Sequence, residues 1–315
     1  RAALEAPGRS MLIVAGLGFC ILSADGCLQC NGVSTCTGRG ITLASQAVAL
    51  TEFAKCFIST NGVLACDETV FELPGNSTRF QALTGGLFHL CALTLGGGVG
   101  CYGVIAGYGV TTPQALVQVP VSLLSNGSAL AISAGDNHTC ALTAARGVVC
   151  WGTWTGVVPG SLSTGVLAVS SGAAHACAII TGGLLICFGT CTGDVCNVPA
   201  DLAGQVRAVA AGGDHTCAAT NPNGLVRCWG SNAFGQTTVP TDAAGNELSD
   251  VVALAAGDFH TCALTESGDV VCWGSNVFGQ TNLPENFSGA QALYADVTRT
   301  IAMRGDGRPV LFTRA

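Results

Sequence analysis

Five histidines share one placement in this chain. His89, His138, His175, His215 and His260 each stand two residues before a cysteine. The cysteines recur in pairs: Cys20/Cys30, Cys56/Cys66, Cys91/Cys101, Cys140/Cys150, Cys177/Cys187, Cys217/Cys228 and Cys262/Cys272. Imidazole beside thiol could ligate zinc or carry acid–base work. Asp136, Asp214 and Asp258, just ahead of three of the histidines, complete the outline of a catalytic dyad. Both chemistries need several groups converging on one point. Here the same groups return once per repeat, which spreads them over separate units. The pattern therefore reads as structural: each imidazole bonds to the backbone of its own unit, and each aspartate caps a turn. Cys27-x-x-Cys30 has a zinc-like spacing but lacks a second ligand pair. No catalytic, cofactor or metal residue is expected.

The elements that carry these residues follow from the spacing. The first cysteine of each pair falls at 20, 56, 91, 140, 177, 217 and 262, and Ile301 continues the register. A period near 40 residues with short strands predicts a propeller or solenoid. In the clearest copy, 255–280, His260–Thr265 and Val270–Trp273 are strand segments. Glu266-Ser267-Gly268 between them fits a three-residue hairpin loop with glycine in the left-handed position. Counting outward from that loop sets Leu264 opposite Val270 and Cys262 opposite Cys272, with about 4.5–5.5 Å between Cα atoms. This is disulfide range. The sixth pair has one extra residue, and so does its loop, Asn221-Pro222-Asn223-Gly224. The remaining cysteines pair most simply as Cys27–Cys36 and Cys191–Cys196, giving nine bridges. Each paired-hairpin loop of about ten residues contributes at most roughly 2–3 kcal/mol. In the eighth copy Ile301 and Leu311 replace both members of the pair together, as expected of partners.

The repeat GD-x-HTCALT-x-x-G-x-VxCWG-x-N-x-x-GQ resembles that of the regulator of chromosome condensation family. It is fullest at 210–236 and 255–280, good at 134–152 and 171–189, and skeletal before them. The resemblance implies a closed all-β propeller, usually of seven blades. Relatives with repeats of this length include a bacterial β-lactamase inhibitor protein. The literal count here is eight units, so the expectation is one propeller domain over 1–315. Eight blades is the first reading and seven the alternative, with a stapled hairpin in seven units. The N-terminal residues 1–10 are expected to pair with the last blade and close the ring.

Composition limits the function. Charged residues are 10% of the chain and net charge is −7, with Lys55 the single lysine. Nucleic-acid binding needs clustered cations, and none exist. The apolar run 11–22 is too short to span a bilayer. An N-terminus without methionine fits a processed, secreted chain, and eighteen cysteines fit an oxidising compartment. Asn76, Asn126, Asn137 and Asn286 head N-glycosylation triplets. Trp151, Trp229 and Trp273 follow the second cysteine of their hairpins and read as packing between units, whereas Trp154 lies outside the frame and reads as an exposed contact. The expected function is a non-enzymatic extracellular interaction or structural protein at the cell surface, such as a layer, sheath or filament subunit. Its partners would be other proteins or copies of itself, with N-linked glycans. The alternatives are a secreted inhibitor or lectin-like binder and, from another class, a secreted enzyme.

Overall fold

The computed structural model describes residues 61–66, 71, 73–74, 77–104, 113–242, 244–284, 287–305 and 309–312, and the backbone of N-terminal strands within 11–59. All eight sheets are antiparallel meanders. Sheet 1 has four strands: β1 (Met11–Ala15), β2 (Gly18–Leu22), β3 (Leu28–Cys30) and β4 (Val33–Ser34). The other seven sheets have three strands each. Sheet 2 holds β5 (Ser45–Leu50), β6 (Lys55–Ser59) and β7 (Leu64–Cys66), and sheet 3 holds β8 (Phe80–Gly85), β9 (His89–Thr94) and β10 (Val99–Gly103). Sheet 4 holds β11 (Ala129–Ala134), β12 (His138–Thr143) and β13 (Val148–Gly152), and sheet 5 holds β14 (Val166–Ser171), β15 (His175–Ile180) and β16 (Leu184–Gly189). Sheet 6 holds β17 (Val206–Ala211), β18 (His215–Thr220) and β19 (Val226–Gly230), and sheet 7 holds β20 (Val251–Ala256), β21 (His260–Thr265) and β22 (Val270–Gly274). Sheet 8 holds β23 (Ala290–Ala295), β24 (Thr300–Arg304) and β25 (Pro309–Phe312).

Each middle strand is the His-x-Cys segment or its equivalent, flanked by an inner strand before it and an outer strand after it. In sheets 3 to 7 the middle strand is buried along most of its length. The β-branched and small residues of those strands pack between neighbouring sheets and form separate cores at successive seams. The inner strands β5, β8, β11, β14, β17, β20 and β23 follow one another in contact, and β23 also contacts β5. The expected pairing of residues 1–10 with the last sheet lies outside the described residues.

The hairpin register is the one the loop chemistry dictates. Leu264 faces Val270 and Cys262 faces Cys272, and Gly268 has φ +84° at the left-handed position of the turn. Cysteine faces cysteine in the hairpins of sheets 1 to 7. Disulfides join Cys56–Cys66, Cys91–Cys101, Cys140–Cys150, Cys177–Cys187, Cys217–Cys228 and Cys262–Cys272. Their Cα atoms are 4.0–4.1 Å apart, closer than expected from sequence. The cysteines lie at directly opposed, non-hydrogen-bonded positions, where antiparallel strands come nearest. Cys191–Cys196 is a local loop bridge. The side chains of Cys20, Cys27, Cys30 and Cys36 lie outside the described residues.

Candidate functional site

The glycine that opens each G-x-x-H segment follows directly on an inner strand. At Gly135 an added Cβ would lie 2.0 Å from the carbonyl oxygen of Gly172 in the next sheet. Gly172 meets Gly212, and Gly257 meets Asp296, in the same way. Glycine lets successive sheets approach backbone to backbone at this point. Small residues continue the lining below it. The Ser171 amide donates to Ser133 Oγ at 2.9 Å and the Ala211 amide to Ser170 Oγ at 3.0 Å.

These strand ends surround a central cavity of about 560 Å³. Sheets 3 to 8 all contribute to its wall. Leu87, Asp136, Asp258, Asp296, Arg299 and Phe278 are among its lining residues. Asp296 accepts hydrogen bonds from the backbone amides of Thr298 and Arg299 and pairs with the Arg299 guanidinium at 2.6 Å. It thus holds its own turn, from the place that glycine takes in sheets 3 to 7. Asp214 instead accepts from the Thr192 hydroxyl at 2.8 Å. Phe278 of this lining is exposed; Phe259, next to Asp258, and Phe234 are exposed too, with their two rings 4.9 Å apart.

The histidines are placed differently from the sequence expectation. They reach across the seams between sheets and do not bond to their own backbone. Nε2 lies 2.7 Å from Thr139 Oγ1 for His89, 2.9 Å from Thr216 for His175, 2.8 Å from Thr261 for His215 and 2.8 Å from Thr300 for His260. Thr216 donates its own proton to the Val195 carbonyl, and Thr261 donates to that of Gln236. The threonine oxygen therefore accepts from the imidazole, which assigns the proton to Nε2. The indole Nε1 of Trp229 and Trp273 converge on the same two carbonyls at 2.9 Å. Trp151 donates to Leu116 O at 3.2 Å. Histidine, threonine, tryptophan and one linker carbonyl thus form a relay at the seam. Burial lowers the pKa of all five imidazoles from 6.5 to about 4.

One seam breaks the rule. Opposite His138 the threonine position holds Ala176, and the tryptophan position of sheet 5 holds Phe188. Trp154 fills the gap: its ring stacks on His138 with centroids 4.8 Å apart and packs on Phe188 at 5.8 Å. The expectation that Trp154 is an exposed contact is corrected here, because it is half-buried and belongs to the seam core. Aligning the repeats shows the loss of threonine and tryptophan together in sheet 5, a signal that reading residues singly misses.

Among the described residues no cluster of three or more His, Cys, Asp or Glu is placed to hold a metal ion. No described helix is long and apolar enough to cross a membrane. Asn126 and Asn137 are exposed, while Asn76 and Asn286 lie outside the described residues.

The regulator of chromosome condensation (RCC1) repeat matches residues 130–153, 206–236 and 251–280. The chain thus carries RCC1 repeats in these three segments. The RCC1-repeat chain is similar in fold to the ectodomain of the receptor kinase CR4 from Physcomitrella patens. Identity is 24% and the TM-score 0.67, over 85% of this chain and 72% of that one. The CRINKLY WD40 ectodomain of the receptor kinase ACR4 from Arabidopsis thaliana shares 22% identity with a TM-score of 0.64, over 86% and 97%. The RCC1 protein Prp20p of Saccharomyces cerevisiae shares 17% identity with a TM-score of 0.60, over 80% and 75%. At these identities the likeness is one of fold. No curated protein matches the RCC1-repeat chain in sequence. Its disulfide in most repeats is suited to an oxidising compartment.

Proposed function

We propose that this chain is a secreted, non-enzymatic binding propeller, and that its partner docks on the face where the central cavity opens. The observation that carries this reading is the cavity itself. A cavity of about 560 Å³ is lined by the exposed Phe278 with Asp136 and Asp258, and the exposed pair Phe259 and Phe234 continues from Asp258. Cavities of this size are the usual form of a ligand site. The β23–β5 contact supports a ring closed by sheets 2 to 8, which is the seven-blade alternative. The disulfides support an extracellular setting, and ectodomains of the same fold accord with it. The test is binding of labelled protein to the surface of cells from its source. Saturable binding that falls at least tenfold in a Phe234→Ser/Phe278→Ser variant of unchanged melting temperature supports the reading. Equal binding by both proteins, or turnover of a substrate, rejects it.

A second reading, a self-assembling surface subunit, rests on the opposite face. Val121, Leu124, Leu130, Leu167 and Leu184 are exposed near the ends where inner strands begin. Residues 121–130 carry no charge, and uncharged apolar surface of this kind marks interaction sites. Light scattering on native material decides it: ordered polymers favour this reading, and a monodisperse monomer rejects it. Glycan at Asn126 would cover the same region, and peptide mapping reads its occupancy.

A further inference from the structure

His138 is fully buried, and neither of its ring nitrogens has a hydrogen-bond partner. Trp154 Nε1, in the ring stacked against it, is buried without a partner as well. At four other seams the imidazole Nε2 is held by a threonine hydroxyl at 2.7–2.9 Å. Here Ala176 offers no acceptor, and Phe188 offers no indole donor to the linker. The seam between sheets 4 and 5 thus lacks the relay and is held by apolar stacking, by the Ser133–Ser171 hydrogen bonds and by the Asp136 amide bonded to Ala173 O.

We infer that this seam is the proton-sensitive joint of the ring: on acidification His138 takes up a proton beneath Trp154, and sheets 4 and 5 part there first. A protonated imidazole carries an N–H on each nitrogen. At the other seams one of those N–H groups keeps its threonine; at this one neither has an acceptor. A buried donor without an acceptor is costly, and a buried cation more so. The open joint, where water reaches the ring, therefore binds the proton better than the closed one.

The groups around His138 reinforce this. Strands β11, β13 and β14 and the segment 153–159 bring no ionisable side chain apart from the bridged Cys150. His89 on β9 and His175 on β15 both oppose a charge on His138. Asp136, two residues earlier on the entering turn, is the near carboxylate in sequence. The face of Trp154 favours a cation, but burial outweighs it and holds the pKa down.

The experiment follows tryptophan fluorescence and far-ultraviolet circular dichroism of the disulfide-intact chain from pH 7.5 to pH 3.5. The expected result is a fluorescence change that precedes loss of β-sheet signal by about half a pH unit or more. It disappears in Trp154→Phe and shifts or vanishes in His138→Gln. If His138→Gln does not fold, Ala176→Ser serves instead. It gives Nε2 an acceptor, and the early change should move to lower pH. A single transition common to both probes overturns the inference. So does an early change that Trp154→Phe leaves in place, or one that no variant at His138 or Ala176 shifts.

Discussion

His89 Nε2 and Thr139 Oγ1, fifty residues apart in the chain, meet at 2.7 Å across the seam between sheets 3 and 4. Both side chains are fully buried. The pair recurs at three further seams, so its removal has a definite cost. Replacing threonine by the near-isosteric valine strands an imidazole N–H in the interior, a loss of about 1–3 kcal/mol. Thr139→Val, Thr216→Val and Thr261→Val should each lower stability by about that amount in chemical denaturation. An unchanged denaturation midpoint would show that the hydroxyls contribute nothing.

Acid should weaken the whole fold. The five imidazoles titrate at about 4 in the fold, against 6.5 when unconstrained. Their folded-state values are depressed, so the unfolded chain binds more protons between these limits. Stability contributed by keeping them neutral is intact above pH 6.5 and falls as pH drops toward 4. Each site gives up to about 3 kcal/mol of pH-linked loss at 1.36 kcal/mol per unit. Denaturant titrations at pH 7.5, 6, 5 and 4 should show a steepening decline. A flat profile across that window would contradict it.

Gly135 leaves no room for a side chain. Gly135→Ala sets a methyl 2.0 Å from the Gly172 carbonyl oxygen, so a sheet must move. A loss of 3 kcal/mol or more, or failure to secrete folded protein, is expected. Gly160→Ala is the control, since a methyl there meets nothing within 4 Å. That variant should fall within about 0.5 kcal/mol of the parent.

Redox state gives the fourth measurement. Seven disulfides lie among the described residues, and the eighteen cysteines allow nine. Reduction should raise the intact mass by about eighteen hydrogens, two per bridge. Several alkylatable thiols in native, unreduced protein would rule out the full set. Removing Cys140–Cys150 as a pair should cost up to about 2–3 kcal/mol for a loop of this size.

The amino-acid sequence by itself determined what is local. The repeat period, the hairpin loops and the opposition of Cys262 to Cys272 follow from turn length and strand parity, which act over a dozen residues. What Trp154, His138 and Ala176 do to one another was decided by tertiary structure. Four of the five histidines find a threonine 40–50 residues away, across a seam whose geometry depends on how neighbouring sheets twist and pack. A residue counted along one hairpin has no sight of that partner. The same holds for the cavity, where strand ends from sheets 3 to 8 come together. Ladder hydrogen bonds fix each sheet from within, whereas the contacts between sheets form only when the sheets pack on one another.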